Sequence, residues 1–255
     1  MGMMITHAQK EEIARQTIAD YQEKRVESYR KMRLENLLGK DVLLFAARGV
    51  DTATGFVKEA FKAAESSSEE TVMGSSRQAL AIRLSNSADS GDMTIVRDGV
   101  KYYCEMKSQT NTTNFGSLAA VLQELKFAVD HDQSSAHRMV TKQGIGAAIL
   151  ISRSTKTLDE ERVFHCDSTA KQPYSALEGF TYRYISGRAM WRWVADVDDP
   201  IELLQPLVRL DTGRISEARA RALERIENEL RQQLTTNNLP DTIDSVYKLV
   251  QLTWR

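Results

Sequence analysis

Apolar residues recur at helical spacing near both ends of the chain. Residues 7–38 contain neither glycine nor proline and carry a rough apolar stripe, which predicts one or two helices. The same periodicity predicts helices over residues 40–64, 74–84, 117–129, 187–195 and 216–234, and one that begins at Pro200. The serine- and glutamate-rich stretch 64–70 is predicted to be a polar loop between two of them.

The middle of the chain has the pattern of strands. Residues 144–152 form a continuous apolar run, which is typical of a strand covered on both faces. Short segments at 161–167 and 179–186 predict two more strands. Upstream, Asp98 and Gly99 join two strand-like segments, and this dipeptide favours a type I′ hairpin turn because both central residues need positive φ. The order of elements predicts an α/β fold with a mixed central sheet flanked by helices.

The predicted hairpin brings charged side chains to one face. Counting outward from the turn pairs Asp92 with Glu105, and directly opposed residues share a face. Strand alternation places Lys107 on the same face as Glu105. Two opposed carboxylates repel one another, which lowers the stability of the hairpin. A hard cation bound between them removes this repulsion. Mg²⁺ is held by one or two carboxylates together with waters and phosphate oxygens. Asp92 and Glu105 are therefore candidate Mg²⁺ ligands, and Lys107 would hold a phosphate oxygen or orient an attacking water.

An ordinary solvated hairpin face would carry the same kinds of residues. In that alternative Glu105 and Lys107 are exposed surface positions, and this short pattern occurs by chance in many sequences. The charged stretch 129–137 matches no known metal-ligand spacing, so a polar loop after a helix explains it more simply than a second metal site.

The hairpin resembles the core of the PD-(D/E)xK nuclease superfamily. Asp92 matches the metal-binding aspartate of that superfamily, and Glu105-Met106-Lys107 matches its ExK motif. The polar loop and helix that follow resemble a subset of Type II restriction endonucleases, as do residues 71–80 and 186–208, so the likeness covers roughly residues 70–210. Gln78 departs from the pattern, because it stands where some relatives carry an acid on this helix, and Glu70 is the nearest substitute.

The resemblance implies Mg²⁺-dependent, sequence-specific cleavage of double-stranded DNA. It also implies a homodimer that acts on palindromic sites and is paired with a protecting DNA methyltransferase. Amide and hydroxyl side chains after the motif can contact base edges or phosphates, so Gln109, Asn111, Thr113 and Asn114 are candidate DNA contacts. Ordinary loop composition explains the same residues equally well. The alternatives are another nuclease of the superfamily, acting in repair or on DNA structure, or a catalytically inactive DNA-binding protein.

Composition limits these expectations only in part. The 255 residues, 42% of them hydrophobic, are enough for one core with helical additions. We therefore expect a single nuclease domain over residues 1–255, with its core at about 70–210 and helical additions at 7–64 and 200–255. The net charge of -1 does not exclude a nucleic-acid ligand, because binding depends on where charges lie. No apolar run is long enough to span a membrane, no signal peptide is evident, and two cysteines suggest no disulfide framework, so a cytoplasmic protein is expected.

Overall fold

The computed structural model describes residues 5–85, 93–109, 115–134, 144–166, 172–198, 203 and 211–253. Its helices are α1 (His7–Lys31), α2 (Leu34–Leu38), α3 (Val42–Ala47), α4 (Ala53–Ser85), α5 (Phe115–Ser134), α6 (Arg188–Ala195), α7 (Gly213–Thr236) and α8 (Ile243–Thr253). Its strands are β1 (Met93–Arg97), β2 (Val100–Lys107), β3 (Gly144–Ile151), β4 (Leu158–Val163) and β5 (Thr181–Ser186). A 3₁₀ helix spans Gln172–Leu177. Among these described segments, no helix is both long and apolar enough to cross a membrane.

The strands form one mixed sheet, as the sequence predicts. Over the described residues their order is β1-β2-β3-β5-β4. The outer pairs, β1 with β2 and β4 with β5, are antiparallel, whereas β3 runs parallel to both of its neighbours. The continuous apolar run lies in β3, where residues 147–151 are all buried. This arrangement is typical of a central parallel strand covered on both faces.

Helices cover both faces of the sheet. On one face Leu80 and Leu84 of α4 and Trp191 of α6 share a core with Met106 and Leu150 of the sheet. On the other face, α5 packs against β2 and β3. The core on this face includes these buried residues: Leu122, Leu125, Val129, Ile149, Ile151 and Tyr182. The predicted α/β fold of the restriction-endonuclease type, with helices flanking a mixed sheet, is confirmed.

The chain forms two compact units. The first, here called the sheet unit, consists of Met1–Thr17 and Gly74–Val208. The second, here called the helical unit, consists of Ile18–Met73 and Arg209–Arg255. The helical unit has its own apolar core, in which Leu37, Phe56, Phe61, Ile226 and Val246 are fully buried. The assignment of all residues to a single nuclease domain stays a prediction.

The predicted loop at 64–70 is wrong, because these residues belong to the uninterrupted helix α4. Tertiary contacts outweigh their weak helix preference. Glu65, in the middle of the stretch, accepts a hydrogen bond from the hydroxyl of Tyr29 and another from Arg219, whose Nε lies 2.7 Å from Glu65 Oε1. Conversely, the helix predicted over 40–64 is broken near Gly49, which has a φ of 85°.

The strand predicted at 161–167 lies earlier in the chain, at Leu158–Val163, where it pairs with β5. The helix predicted from Pro200 falls almost wholly outside the described residues.

Candidate active site

The turn between β1 and β2 sets the register of the hairpin. Asp98 has a φ of 51° and Gly99 a φ of 77°, so both central residues have the positive φ that a type I′ turn requires. The register pairs Met93 with Cys104, as counting outward from the turn predicts. The next pair would join Asp92 to Glu105, but Asp92 lies outside the described residues, so this pairing stays a prediction.

Glu105 and Lys107 lie on one face of β2 and form an ion pair. The Nζ atom of Lys107 is 2.5 Å from Oε1 of Glu105, and their side chains are 29% and 35% exposed, respectively. Between and beside them, Cys104 and Met106 are buried in the core on the opposite face. Burial raises the pKa of the Cys104 thiol above its ordinary value, which makes a reactive thiolate at this position unfavourable. The chemistry of this strand therefore lies on its charged face.

Strand β2 is not a free-standing surface hairpin. It pairs with β1 on one side and with β3 along its whole length on the other, so that Glu105 lies opposite Ile149 and Lys107 opposite Ile151. The charged pair therefore occupies the carboxyl end of an interior strand, beside buried aliphatic side chains. An edge strand would instead have a strand neighbour on one side only and unpaired backbone groups on the other.

A small crevice beside Glu105 is also lined by a second acidic residue, Glu124 of α5. Residues of β2 and α5 line this crevice, including Tyr103, Glu105, Val121, Glu124 and Leu125. The side chain of Glu124 is exposed. The sequence pattern did not identify Glu124. The apolar stripe of α5 shows which side of the helix is buried, but it does not show which strand lies beside the residues that flank the stripe. The available signal was its position next to the apolar Leu125 and three residues after Val121.

A polar network lies farther along the same face of β2. The ammonium of Lys101 donates hydrogen bonds to the hydroxyl oxygen of Tyr103, at 2.9 Å, and to a carboxylate oxygen of Asp132, at 3.0 Å. The hydroxyl of Tyr103 donates to the same Asp132 oxygen. The hydrogen bond with Tyr103, followed by that with Asp132, raises the pKa of Lys101. The network ties the last turns of α5 to β2. The polar loop predicted over residues 129–137 is therefore wrong for residues 129–134, which belong to α5.

Arg153 lies near the carboxyl ends of β2 and β3. The backbone N–H of Ser152 donates to the carbonyl oxygen of Lys107, and that of Arg153 donates to the carbonyl oxygen of Ser108, both at 3.0 Å. The side chain of Arg153 is exposed. Burial lowers the pKa of Arg77 on α4, and the positive charge of Arg153 lowers it further. The sequence reasoning singled out neither arginine.

The remaining candidate residues are less closely grouped. Glu70 and Gln78 both have exposed side chains on α4, Glu70 within the helical unit and Gln78 within the sheet unit. Gln109 follows β2 and is half-exposed. The other expected DNA contacts, at Asn111, Thr113 and Asn114, lie outside the described residues.

The oxygen ligands near Glu105 are of the type that suits a hard divalent cation. Glu105 and Glu124 both line one crevice, and Mg²⁺ in proteins is held by few carboxylates and several waters. Over the ranges that the structure describes, no group of three histidine, cysteine, aspartate or glutamate side chains converges to hold an ion. Mg²⁺ bound at this crevice would be held by Glu105 and would keep several water ligands.

Comparison with known families identifies the family of the chain. The family model of the Type II restriction endonuclease EcoO109I matches residues 8–207. This range includes more than half of the chain, every strand of the described sheet, and both Glu105 and Lys107. No curated protein sequence gives a significant match. The resemblance noted from the hairpin and its flanking segments is therefore confirmed, and the chain belongs to the EcoO109I family of Type II restriction endonucleases.

Proposed function

We propose that this restriction endonuclease hydrolyses phosphodiester bonds in double-stranded DNA at a specific sequence, with Mg²⁺ as its cofactor. The observation that carries the proposal is the ion pair of Glu105 and Lys107 on an interior strand. In this position the carboxylate can bind a metal cation, and the ammonium can bind a phosphate oxygen. Hydrolysis of a phosphodiester needs both kinds of contact. Membership of the EcoO109I family supports DNA as the substrate.

Glu105 and Asp92 are the proposed ligands of the cation. The hairpin register supports their pairing, since the described pairs end at Met93 and Cys104, one position before them. Glu124 lines the crevice at Glu105 and is available to hold a metal-bound water by a hydrogen bond. When bound, Mg²⁺ would lower the pKa of a water and stabilise negative charge on the scissile phosphate.

Lys107 is the proposed group that binds the reacting phosphate or orients the attacking water. In the structure its ammonium neutralises Glu105, and it is partly accessible to solvent. A DNA phosphate that approaches this face offers the ammonium a second anionic partner. The flexible ammonium has three donors, so it can contact a carboxylate, a phosphate oxygen and a water at the same time.

The segment that follows β2 is the proposed DNA-contacting loop. Gln109 comes two residues after Lys107, and Asn111, Thr113 and Asn114 complete the set of candidate contacts. Asparagine and glutamine side chains can bind adenine edges in the major groove, whereas threonine and backbone groups contact phosphates. Their position in the sequence next to the motif supports this role. Glu70 and Gln78 remain candidates for a further acidic or water-binding position on α4.

The finer biology of the enzyme is also a proposal. We infer a homodimer that cuts palindromic sites, a companion DNA methyltransferase that protects the host, and a cytoplasmic location. An apolar surface of the helical unit supports dimerisation: Leu43 of α3 is 71% exposed and Tyr247 of α8 is 47% exposed, and these two helices are in contact. Large exposed apolar side chains that lie on adjacent elements are common at protein interfaces.

Sedimentation velocity tests the dimer. The substitution Leu43→Lys should shift the protein from dimer to monomer, whereas Val96→Lys on β1 should leave the dimer intact. Val96 is a suitable control because it is also largely exposed but belongs to the sheet unit. A wild-type protein that sediments as a monomer at all concentrations would contradict the proposed dimer.

A cleavage assay tests the proposed function directly. The purified protein is incubated with phage DNA and Mg²⁺, and the products are separated on a gel. Discrete bands that change with the DNA used would support sequence-specific restriction. A smear would indicate a nuclease without sequence specificity, and intact DNA with every divalent metal would indicate a DNA-binding protein without catalytic activity.

A further inference from the structure

Two consecutive peptide groups after β3 hold the end of the motif strand. The N–H of Ser152 donates to the carbonyl oxygen of Lys107, at 3.0 Å. The N–H of Arg153, in the next peptide group, donates to the carbonyl oxygen of Ser108, also at 3.0 Å. The hydroxyl of Ser152 adds a weaker contact with the Lys107 carbonyl, at 3.4 Å. The main chain at Lys107 and directly after it is therefore fixed by residues that follow the neighbouring strand.

Helix α6 and the residue before it hold the same two peptide groups from the other side. The N–H of Gly187 donates to the carbonyl oxygen of Ile151, at 3.0 Å. The indole N–H of Trp191 donates to the carbonyl oxygen of Ser152, at 3.2 Å. A peptide group is planar and rigid, so a hydrogen bond to the Ser152 carbonyl also restrains the N–H of Arg153. Trp191 and the end of β2 thus contact opposite sides of one rigid group.

The start of α6 is packed closely against the segment that follows β3. Gly187 has a φ of 61°, and a Cβ at this position would lie 2.9 Å from the carbonyl oxygen of Lys156 and 3.1 Å from that of Ser154. The buried hydroxyl of Ser186 donates to the same Lys156 carbonyl, at 2.7 Å. Because α6 begins from this fixed point, the indole of Trp191 has a fixed position relative to Ser152.

Trp191 cannot contact the substrate itself. Its side chain is buried and shares a core with Met106 and Leu150, on the face of the sheet opposite to Glu105 and Lys107. Any influence of Trp191 on the charged pair must therefore pass through the main chain at the end of the sheet.

The second tryptophan of α6 has no comparable link. Trp193 is also buried in this core, where its ring packs edge-on against that of Tyr102, with the ring centroids 5.2 Å apart. Among the residues that the structure describes, the indole N–H of Trp193 has no hydrogen-bond partner. Two buried indoles on one helix therefore differ in the hydrogen bond to the peptide group that holds the strand end.

We infer that Trp191 is a positioning residue for Lys107. This inference rests on the nuclease function proposed above and adds a residue outside the ExK motif on which the geometry of the site depends. Through the peptide group after Ser152, Trp191 holds the main chain at the end of β2, from which the Lys107 side chain starts. Displacement of a reacting group by about 1 Å can slow a reaction by about 100-fold. Loss of this support should therefore slow cleavage and leave DNA binding intact.

Single-turnover cleavage of phage DNA at saturating enzyme, with Mg²⁺, tests this role. Trp191→Phe keeps a buried aromatic ring but removes the indole donor. It should cut on the order of tenfold more slowly and bind a short duplex in metal-free buffer with wild-type affinity. Trp193→Phe makes the same change on the same helix without loss of a hydrogen bond, and should cut at close to the wild-type rate. A tryptophan with a merely structural role would lower the denaturation midpoint but not the cleavage rate of the folded enzyme.

Hydrogen exchange of the Arg153 amide tests the link without DNA or metal. Exchange, followed by NMR, should be on the order of tenfold faster in Trp191→Phe than in the wild type, and unchanged in Trp193→Phe. If Trp191→Phe does not fold, benzothienylalanine in place of Trp191 provides the same tests, because it keeps the shape of the indole and carries sulfur where the N–H was.

A folded Trp191 variant with wild-type exchange at Arg153, or with a wild-type cleavage rate, would overturn the inference while leaving the nuclease function intact. Equal losses of cleavage rate in the Trp191 and Trp193 variants would also overturn it. A wild-type protein that cuts no DNA would overturn the proposed function and the inference together, and this outcome is recognised before any variant is made.

Discussion

Lys107 Nζ lies 2.5 Å from Glu105 Oε1, on the charged face of a strand whose other face is buried. The two residues are two positions apart on a regular strand, and not on a flexible loop. Each side chain therefore starts from a fixed backbone position, which is what a site that must orient a water and a phosphate requires.

Replacement of Lys107 should abolish cleavage but not binding. Lys107→Ala should slow single-turnover cleavage by on the order of 100-fold or more, because it removes the group that orients the water or phosphate. Lys107→Arg should also fail, since the larger planar guanidinium cannot occupy the position of the ammonium. Single-turnover cleavage at saturating enzyme measures both effects. Lys62→Ala, at an exposed paired lysine of the helical unit, is the control. Wild-type rates in both Lys107 variants would show that Lys107 is only a surface residue.

Replacement of Glu105 or Asp92 should remove the cation and, with it, catalysis. Glu105→Gln and Asp92→Asn should reduce cleavage by on the order of 100-fold or more, since the charge on the scissile phosphate is then no longer stabilised. Calorimetric titration with Mg²⁺ in the presence of an uncleaved duplex should show weakened metal binding, with DNA affinity largely retained. Glu161→Gln, at an exposed position of β4, is the matched control. Normal cleavage by either variant would remove that residue from the proposed site.

The hairpin turn should be intolerant of a side chain at Gly99. The φ of Gly99 is 77°, so Gly99→Ala should destabilise the protein by about 1 kcal/mol, the cost of placing a Cβ in the left-handed region. Gly74→Ala on α4 is the matched control. A Cβ would meet no atom within 4 Å at either position, but Gly74 lies in a helix, where alanine should stabilise by about 0.5–1 kcal/mol. Urea denaturation measures the change in the free energy of unfolding for both variants. Equal changes would contradict the claim that the positive φ of Gly99 makes alanine unfavourable there.

Glu65 should make the stability of the helical unit depend on pH. Burial acts to raise the pKa of Glu65, but hydrogen bonds from Arg219 and Tyr29 outweigh it, and the pKa is lowered from its ordinary value. Because the pKa of Glu65 is lowered in the folded state, its carboxylate stabilises the fold at pH values above the pKa of glutamate in the unfolded chain. This stabilisation is lost as the pH falls through the pKa of Glu65 in the folded state. Glu65→Gln should therefore cost about 1–3 kcal/mol at neutral pH.

Denaturation midpoints at a series of pH values test this dependence. The difference between wild type and Glu65→Gln should shrink as pH falls below about 4.3, the usual pKa of an unfolded glutamate. Glu59→Gln removes an exposed carboxylate of the same helix and should change stability by less than about 0.5 kcal/mol at every pH. A difference for Glu65→Gln that stays constant down to strongly acidic pH would argue against an ionised Glu65.

Local sequence determined the hairpin and its charged face. Asp98 and Gly99 can both adopt positive φ, so the turn has two residues and every pair outward from it follows by counting. Because side chains alternate along a strand, Glu105 and Lys107 had to share a face. The apolar run in β3 likewise determined its own burial. These features depend on neighbours in the chain, so their information lies in short stretches of sequence.

Only the tertiary structure decided which distant residues meet. Helix α4 continues through 64–70 because Glu65 finds Tyr29 and Arg219, partners 36 and 154 residues away. Glu124 lines the crevice at Glu105 because of the way α5 packs on the sheet, and Arg153 lies beside the chain after Lys107 because β2 and β3 pair in parallel. These contacts join different helices and strands. The apolar pattern of each element by itself is compatible with several ways of packing the elements together. The physical reason is that periodicity specifies which side of an element is apolar, whereas the packing of whole elements specifies what that side touches.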